Sequence, residues 1–236
     1  FHIGSGQTIS HPYTVAFQTE LLELSPKMKV LEIGTGSGFQ TCILCELGAR
    51  VYSIERHQDL HVKANQLIKH LDYDARLKYG DGYQGWPSYS PFDRILVTCG
   101  APDVPEELLK QVAIGGIMII PVGEGEEQRM LRIKRLSEFD YTSEELGTFK
   151  FVPMLERRVD IKDINNDMLE KVSKISNFPK TQQCQHLNLD LFSTSFHTRL
   201  PITVLRPSGF EATNPMKRLL PILARRMRSR PKLTAR

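Results

Sequence analysis

One glycine-rich turn constrains the fold of this chain more than any other feature. The short apolar segment KVLEI, residues 29–33, leads directly into Gly34, Gly36 and Gly38. Glycines at the end of a buried strand let the backbone approach a ligand closely, because no side chain stands in the way. The pattern therefore predicts a strand, a ligand-binding turn and a helix, in that order.

Strand and helix patterns alternate after this turn. RVYSIE, FDRILVT and IMIIPV have the composition of buried strands. PEELLKQV predicts a helix that Pro105 starts and that Gly115 and Gly116 stop. LHVKANQLIKHL predicts another helix, with four apolar residues on one face: Leu60, Ala64, Leu67 and Leu71. This alternation predicts an α/β fold with a mostly parallel, doubly wound sheet, whose ligands bind outside the carboxyl ends of the strands.

The segments at the two ends of this region complete the predicted fold. HPYTVAFQTELLEL, with Pro12 at the first helical position, predicts an amphipathic helix before the glycine turn. RMLRIKRL and GTFKFVPML alternate enough to be two strands with no helix between them. They predict a terminal antiparallel hairpin, which makes the sheet mixed.

Charge divides the chain into two parts. Residues 1–155 carry 15 Lys and Arg against 20 Asp and Glu, a net charge of −5, and residues 156–236 carry 16 against 7, a net charge of +9. Residues 156–236 also show little apolar periodicity, so we predict one domain over 1–155 and a poorly ordered basic extension. A basic arm for RNA and a membrane-surface helix are the alternatives. Pro221 and Pro231 interrupt such a helix, and the final basic segment has no aromatic residue on which a base could stack.

Composition indicates the compartment. Of the 236 residues 40% are apolar, but no stretch reaches the roughly 20 consecutive apolar residues of a membrane span. The four cysteines have neither a disulfide framework nor metal-ligand spacing, which predicts a cytoplasmic protein without a metal. Cys42 and Cys45 form a CxxC within a predicted helix, and two small core residues are a better interpretation of them than a redox pair.

The spacing of the glycines favours one cofactor. A dinucleotide-binding turn has the form GxGxxG, but Phe39 stands where its third glycine would be. The GxGxG form, with Glu32 two residues before Gly34, resembles the first motif of S-adenosylmethionine-dependent methyltransferases. Glu55 ends the second strand, where a carboxylate can accept both ribose hydroxyls.

A third acidic position follows the next predicted strand. Asp81 in YGDGYQGW can bond the exocyclic amine of adenine, and Gly82 keeps the chain close to the ligand. A solvated acidic residue in a turn is the alternative for Glu55 and for Asp81 taken singly. Their order and their positions at strand ends favour the cofactor site.

The opening stretch GSGQTISHPY indicates which class of molecule accepts the methyl group. Together with VLEIGTGSGFQT, GDGYQGW, PFDRILVTCGAP, GGIMIIPVGE and FVPML, the segment IGSGQTISHPY resembles the protein-L-isoaspartate O-methyltransferases over Ile3 to Leu155. The resemblance implies the fold of the class I S-adenosylmethionine-dependent methyltransferases. It also implies methyl transfer to the α-carboxylate of L-isoaspartyl residues in damaged proteins. The ester then cyclises to a succinimide, whose hydrolysis returns some normal aspartate.

The resemblance also assigns roles near the start of the chain. Ser10 is the implied active-site residue, which positions the substrate carboxylate, and Gln7, Thr8 and Ile9 shape the loop over donor and acceptor. Ser10 is also a good helix N-cap, and the two roles are compatible. Thr98 is a candidate substrate contact, with a strand-terminal threonine as the alternative; His11 is expected to be a surface residue.

Two departures leave alternatives open. Members of the family have helical sequence before the Ser10 loop, which is missing here, and they end soon after their last strand. A catalytically impaired binding protein of the same family is therefore one alternative, and a methyltransferase of the same fold with another acceptor is a second. The expected partners are isoaspartyl proteins and peptides, met by a monomer without metal, membrane or nucleic acid.

Overall fold

The structure is a computed structural model that describes residues 2–160 and 163. Two short strands, β1 (His2–Gly4) and β2 (Gln7–Thr8), pair antiparallel as a hairpin. Helix α1 (Pro12–Leu21) follows directly, as predicted from Pro12. The predicted extension over residues 156–236 lies outside the described residues, except for 156–160 and 163.

A seven-stranded sheet forms the centre of the molecule. Its strands and helices follow in chain order: β3 (Lys29–Ile33), α2 (Phe39–Glu46), β4 (Arg50–Glu55), α3 (Gln58–His70), β5 (Ala75–Tyr79), β6 (Phe92–Val97), α4 (Glu106–Gln111), β7 (Val112–Val122), β8 (Gln128–Arg135) and β9 (Tyr141–Phe149). The spatial order is β5-β4-β3-β6-β7-β8-β9. Strands β3 to β7 are parallel, and β8 and β9 are antiparallel. The predicted mixed sheet with a terminal hairpin is confirmed.

Apolar side chains bury both faces of the sheet. Along β3, Val30 packs with α1 and α2 on one face, and Leu31 packs on the other face with α4. Because neighbouring residues of a strand point to opposite faces, a strand covered on both sides needs a near-continuous apolar run. This requirement explains why KVLEI and RILV are recognisable as strands from sequence.

The paired glycines near the end of α4 do not stop that helix, contrary to prediction. The helix ends at Gln111, and β7 begins at Val112 and contains both glycines. Residues 113–116 of β7 stand opposite the single residue Asp93 of β6, between the pairs Phe92–Val112 and Arg94–Ile117. A Cβ at Gly116 would lie 2.7 Å from the Ala113 carbonyl oxygen, so this glycine serves a bulge in the strand.

Two other predictions need correction. The buried face of α3 consists of Leu60, Ala64 and Ile68, and Leu67 is 43% exposed. The last strand ends at Phe149, so FVPML is not a strand. Residues 151–159 run across the carboxyl ends of the sheet instead, with bridges from Pro153 to Gly100 and from Val159 to His57.

No helix among the described residues is long and apolar enough to cross a membrane.

Candidate functional site

A cleft opens at the carboxyl ends of β3, β4 and β6, where the fold predicts a ligand. We call it the central cleft. Nine of the residues predicted to form the site line it: Gln7, Thr8, Ile9, Ser10, Gly34, Gly36, Glu55, Gly82 and Thr98. The hairpin β1–β2 and residues 152–155 form other parts of its wall.

The glycine turn forms the floor of the central cleft and has no room for side chains. Gly34 has a φ of 97°, and a Cβ there would lie 2.5 Å from the Thr98 hydroxyl oxygen. A Cβ at Gly82 would lie 2.5 Å from a methyl carbon of Ile33. Both distances are far shorter than van der Waals contact. These positions therefore require glycine, and they leave backbone exposed to a ligand.

Glu55 is bound to the turn through its carboxylate. One oxygen accepts a hydrogen bond from the backbone N–H of Gly36 at 2.8 Å, and the other accepts one from the N–H of His57 at 2.9 Å. The residue is only 4% exposed and lines the cleft. Each carboxylate oxygen can accept more than one hydrogen bond, so both retain acceptor capacity for ligand hydroxyls.

Glu32 does not line the central cleft, although its spacing from the glycines predicted a cofactor role. Its carboxylate is completely buried and accepts hydrogen bonds from the hydroxyls of Thr41 and Ser53, the latter at 2.7 Å. Thr35, in the glycine turn, is 2.6 Å from the Ser53 hydroxyl. Burial raises the pKa of Glu32 to about 7, although the two hydrogen bonds lower it. This buried hydrogen-bond network connects Glu32 to the glycine turn through Ser53 and Thr35.

Two other predicted residues also lie away from the cleft. Gly38, with a φ of 82°, is the N-cap of α2, and a Cβ there would meet Ile68 of α3 at 3.3 Å. The Asp81 carboxylate accepts hydrogen bonds from the N–H groups of Tyr83, at 2.9 Å, and Arg157, at 3.1 Å. Gly38 thus allows α2 and α3 to pack closely. Asp81 connects the segment after β5 to Arg157, in the segment that runs across the carboxyl ends of the sheet.

The hairpin brings Ser10 to the cleft, where it is half-buried. The interpretation of Ser10 as a helix cap is wrong, because His11 is the N-cap and its Nδ1 accepts the N–H of Tyr13 at 3.2 Å. His11 is exposed, as expected of a surface residue. From the sequence alone Ser10 was an equally plausible cap, because both Ser10 and His11 come just before Pro12.

Thr98 and Cys99 end β6 beside the turn. The Thr98 hydroxyl donates to the backbone oxygens of Ile33, at 2.9 Å, and Gly34, at 2.8 Å. Its one proton is therefore engaged, and a substrate contact through Thr98 would have to use its lone pairs. Burial raises the pKa of the Cys99 thiol to about 12, so Cys99 is a neutral thiol at physiological pH.

Sequence reasoning missed several residues of the cleft. Gln18 of α1 and Gln40 of α2 line it, and so do Arg56 and His57 after Glu55. His57 is 8% exposed, and burial lowers its pKa, so the ring is neutral. A polar residue among the apolar positions of α1 was the available signal for Gln18, and the strand-end position after Glu55 was the signal for the other two.

The model of the protein-L-isoaspartate(D-aspartate) O-methyltransferase family matches residues 1–159, two thirds of the chain. The chain belongs to this family. A protein-L-isoaspartate O-methyltransferase of Flavobacterium psychrophilum is 56% identical over 157 residues, which are 66% of this chain and 73% of that protein. The corresponding protein of Cytophaga hutchinsonii is 53% identical over 155 residues, 66% of this chain and 70% of its own length.

Solved structures agree with the family assignment. A Plasmodium falciparum chain described as a protein-L-isoaspartate O-methyltransferase, in complex with S-adenosyl-L-homocysteine, is 25% identical and has a TM-score of 0.58. It covers 66% of this chain and 79% of its own. Another protein-L-isoaspartate O-methyltransferase has a TM-score of 0.62 over 74% of this chain. The predicted class I methyltransferase fold is confirmed.

The central cleft fits the cofactor of this family. Its floor is a glycine turn that a Cβ would obstruct, and Glu55 offers carboxylate oxygens at the end of β4. Two further acceptors, the side-chain oxygens of Gln18 and Gln40, are buried without a hydrogen-bond partner among the described residues. An adenosine joined to an amino acid brings hydroxyl and ammonium donors that match such acceptors. The contacts assigned to individual residues stay predictions.

One contact outside the predicted set attaches the hairpin to the cleft. The Ser5 hydroxyl donates to the Asp59 carboxylate at 2.8 Å, while Ile3 approaches Gly36 so closely that a Cβ there would lie 3.2 Å from it. The Ser5–Asp59 hydrogen bond therefore holds β1 over the glycine turn.

Ser5→Ala is expected to raise the Kd for S-adenosyl-L-homocysteine about three- to tenfold, because a partly exposed hydrogen bond to a carboxylate contributes roughly 1 kcal/mol. Isothermal titration calorimetry measures this change. Lys63→Met is the control, since it removes only the exposed 3.6 Å ion pair of Asp59. Equal effects of the two substitutions would contradict the role given to Ser5.

Proposed function

We infer that this chain is an S-adenosylmethionine-dependent methyltransferase that esterifies the α-carboxylate of L-isoaspartyl residues in damaged proteins. The observation that carries this inference is the meeting of two segments in one cleft. The GQTIS segment with Ser10, typical of the family, lines the same cleft as the glycine turn at Gly34 and Gly36. Residues 1–155 are proposed as the methyltransferase unit.

The chemistry needs little from the protein beyond position. S-adenosylmethionine supplies a methyl group on a sulfonium centre, which a carboxylate oxygen can attack directly. A carboxylic acid with an ordinary pKa near 4 is already ionised at neutral pH, so no general base is required to generate the nucleophile. The neutral His57 and Cys99 fit a cleft without such a base. Orientation of the two reactants can supply roughly 7 to 11 kcal/mol.

Separate groups of the cleft serve the two reactants in this proposal. Gly34 and Gly36 give the donor access to backbone, and Glu55 accepts its ribose hydroxyls. Ser10 donates its hydroxyl to the acceptor carboxylate and fixes the direction of attack. The β1–β2 hairpin covers the turn and excludes water. Support for the role of Ser10 comes from its half-buried position at the cleft, where no hydrogen bond to another described side chain engages it.

Transfer of labelled methyl to a peptide with one isoaspartate tests the function. We expect base-labile ester on that peptide and none on the same peptide with normal aspartate. Ser10→Ala should lower kcat by about tenfold or more, because it removes a hydrogen bond to a charged group, and should leave the thermal midpoint unchanged. The control is Ser143→Ala, an exposed position on β9.

The possible results separate the alternatives. Binding of S-adenosyl-L-homocysteine without any transfer would favour the catalytically impaired binding protein. Equal transfer to both peptides, or transfer only to another acceptor, would favour a methyltransferase of the same fold with different specificity. Either result would contradict the proposed repair activity.

We further propose that the protein acts in the cytoplasm on isoaspartyl proteins and peptides. The three cysteines within the described residues, Cys42, Cys45 and Cys99, form no disulfide with one another, which suits a reducing compartment. One copy of the chain carries every residue that the proposal uses, in support of a monomer. The proposed chemistry involves neither a metal nor a nucleic acid.

A further inference from the structure

Two glutamines that line the central cleft each have one unsatisfied atom. Gln18 is fully buried, and its side-chain nitrogen donates to the Val97 carbonyl oxygen at 3.0 Å. Gln40 is 7% exposed, and its nitrogen donates to the Thr19 hydroxyl at 2.9 Å. The side-chain oxygens of both glutamines are buried and accept no hydrogen bond from any described residue. A buried acceptor without a donor costs about 1–3 kcal/mol, and a bound ligand that donates to these oxygens would remove that cost.

The hydrogen bonds of the two side chains fix which atom is left unsatisfied. The Gln18 nitrogen is committed to the backbone at the end of β6. The Thr19 hydroxyl already donates to the Val15 carbonyl oxygen at 2.7 Å, so it can only accept from Gln40. Both glutamines therefore offer an oxygen, and the matching ligand group is a hydrogen-bond donor.

The order of the strands indicates which part of a ligand lies near these oxygens. The sheet runs β4-β3-β6, with Glu55 at the end of β4 and the glycine turn after β3. Gln18 is bonded at the end of β6, on the other side of the turn from Glu55, and Gln40 lies in the first turn of α2. If Glu55 takes the ribose, the opposite end of the donor extends across the turn toward the two glutamines.

The charged side chains of the cleft allow a cationic group at that end. Arg56, the one Lys or Arg among the described residues that line the cleft, follows β4 on the far side of the turn from the two glutamines, and its guanidinium donates to backbone oxygens of Glu156 and Arg157. An ammonium group has three N–H donors and no acceptor, so two amide oxygens can accept from it together. Hydrogen bonds to a charged group are about twice as strong as those between neutral groups.

We propose that Gln18 and Gln40 accept hydrogen bonds from the α-ammonium group of the methyl donor and thereby select a donor that carries its complete amino-acid end. This inference rests on the proposed function for the identity of the donor. It adds two binding residues that neither the glycine motif nor the GQTIS segment includes. The glutamines position the amino-acid end and take no part in methyl transfer.

The test measures ligand affinity by isothermal titration calorimetry and needs no turnover. The probes are S-adenosyl-L-homocysteine and its desamino analogue, in which hydrogen replaces the α-amino group. We expect the unaltered protein to prefer the complete ligand about ten- to a hundredfold, the range for hydrogen bonds to a charged group. Gln18→Leu and Gln40→Leu should each remove a large part of this preference, with little effect on the affinity for the desamino analogue.

Gln111→Leu is the matched control. Gln111 is also a buried glutamine, but it lies in α4, and its side chain bonds Trp86, Gln84 and Glu107. Its loss should lower the thermal midpoint and leave the preference between the two ligands within about twofold, since it does not line the cleft.

Several results would overturn the inference. Equal affinity of the unaltered protein for the two ligands would do so without any variant having to fold. If Gln18→Leu and Gln40→Leu lower the affinity for both ligands equally, the glutamines have a structural role only. A change confined to the KM of the isoaspartyl peptide would show that the glutamines contact the methyl acceptor instead of the donor. Absence of methyl transfer with the ligand preference intact would contradict the proposed function and still support this inference.

Discussion

Gly34→Ala is expected to abolish measurable binding of S-adenosyl-L-homocysteine and to lower the free energy of unfolding by about 2–4 kcal/mol. The φ of Gly34 is 97°, a conformation that side chains disfavour, and the new methyl group would lie 2.5 Å from the Thr98 hydroxyl oxygen. The Thr98 hydroxyl also donates a hydrogen bond to the Gly34 carbonyl oxygen at 2.8 Å, so relief of the clash must deform the turn. Calorimetric titration and urea unfolding measure the two effects.

Two further variants separate the contributions to this loss. Gly115→Ala introduces a methyl group at a φ of 79° with no atom within 4 Å, so it reports the backbone cost alone. Thr98→Ala removes the clashing oxygen, and in combination with Gly34→Ala it should recover about 1 kcal/mol or more relative to the sum of the single changes. A Gly34→Ala protein no less stable than Gly115→Ala, with donor binding intact, would contradict the close approach of backbone and ligand.

The sheet and the glycine turn are predictable from sequence because their signals are local. A strand buried on both faces is a near-continuous apolar run, and VLEI and RILV, each with one charged residue, have this form. The turn needs glycine where φ is positive, as at Gly34 and Gly36. By contrast, a glycine pair such as Gly115 and Gly116 is also typical of the end of a helix, and only the pairing of β7 with β6 shows that these two glycines form a bulge.

The direction of a side chain explains most of the differences at the site. Glu32 lies in a strand with neighbours on both sides, and sequence spacing cannot tell whether its carboxylate reaches the cleft or the interior. Its partners Thr41 and Ser53 come from α2 and β4, and only the folded chain brings them together. The local signal of Gln18, a polar residue among the apolar positions of α1, does not reveal its role either, because its contact with Val97 is 79 residues away along the chain. Long-range contacts of this kind are what sequence patterns omit.

Glu32→Gln is expected to change how stability depends on pH. Burial raises the pKa of Glu32 from 4.5 to about 7 in the folded protein. Between these values the folded chain keeps the proton and the unfolded chain releases it, so the free energy of unfolding falls as pH rises and levels off above pH 7. The loss is roughly 3 kcal/mol, since one pKa unit corresponds to about 1.4 kcal/mol. Glutamine cannot ionise, so the variant should lack this loss.

The measured quantity is the difference in unfolding free energy between the unaltered protein and Glu32→Gln, from urea unfolding at pH 5 to 8.5. Burial lowers the pKa of His57 and His61, which makes stability rise with pH, but both histidines are present in both proteins and cancel in the difference. We expect the difference to move by roughly 3 kcal/mol in favour of Gln as pH rises. Thr41→Val removes a hydrogen bond that lowers the pKa of Glu32, so it should shift the midpoint of the loss to higher pH. A difference that stays constant across this range would show that Glu32 is ionised throughout, and that the hydroxyls of Thr41 and Ser53 outweigh its burial.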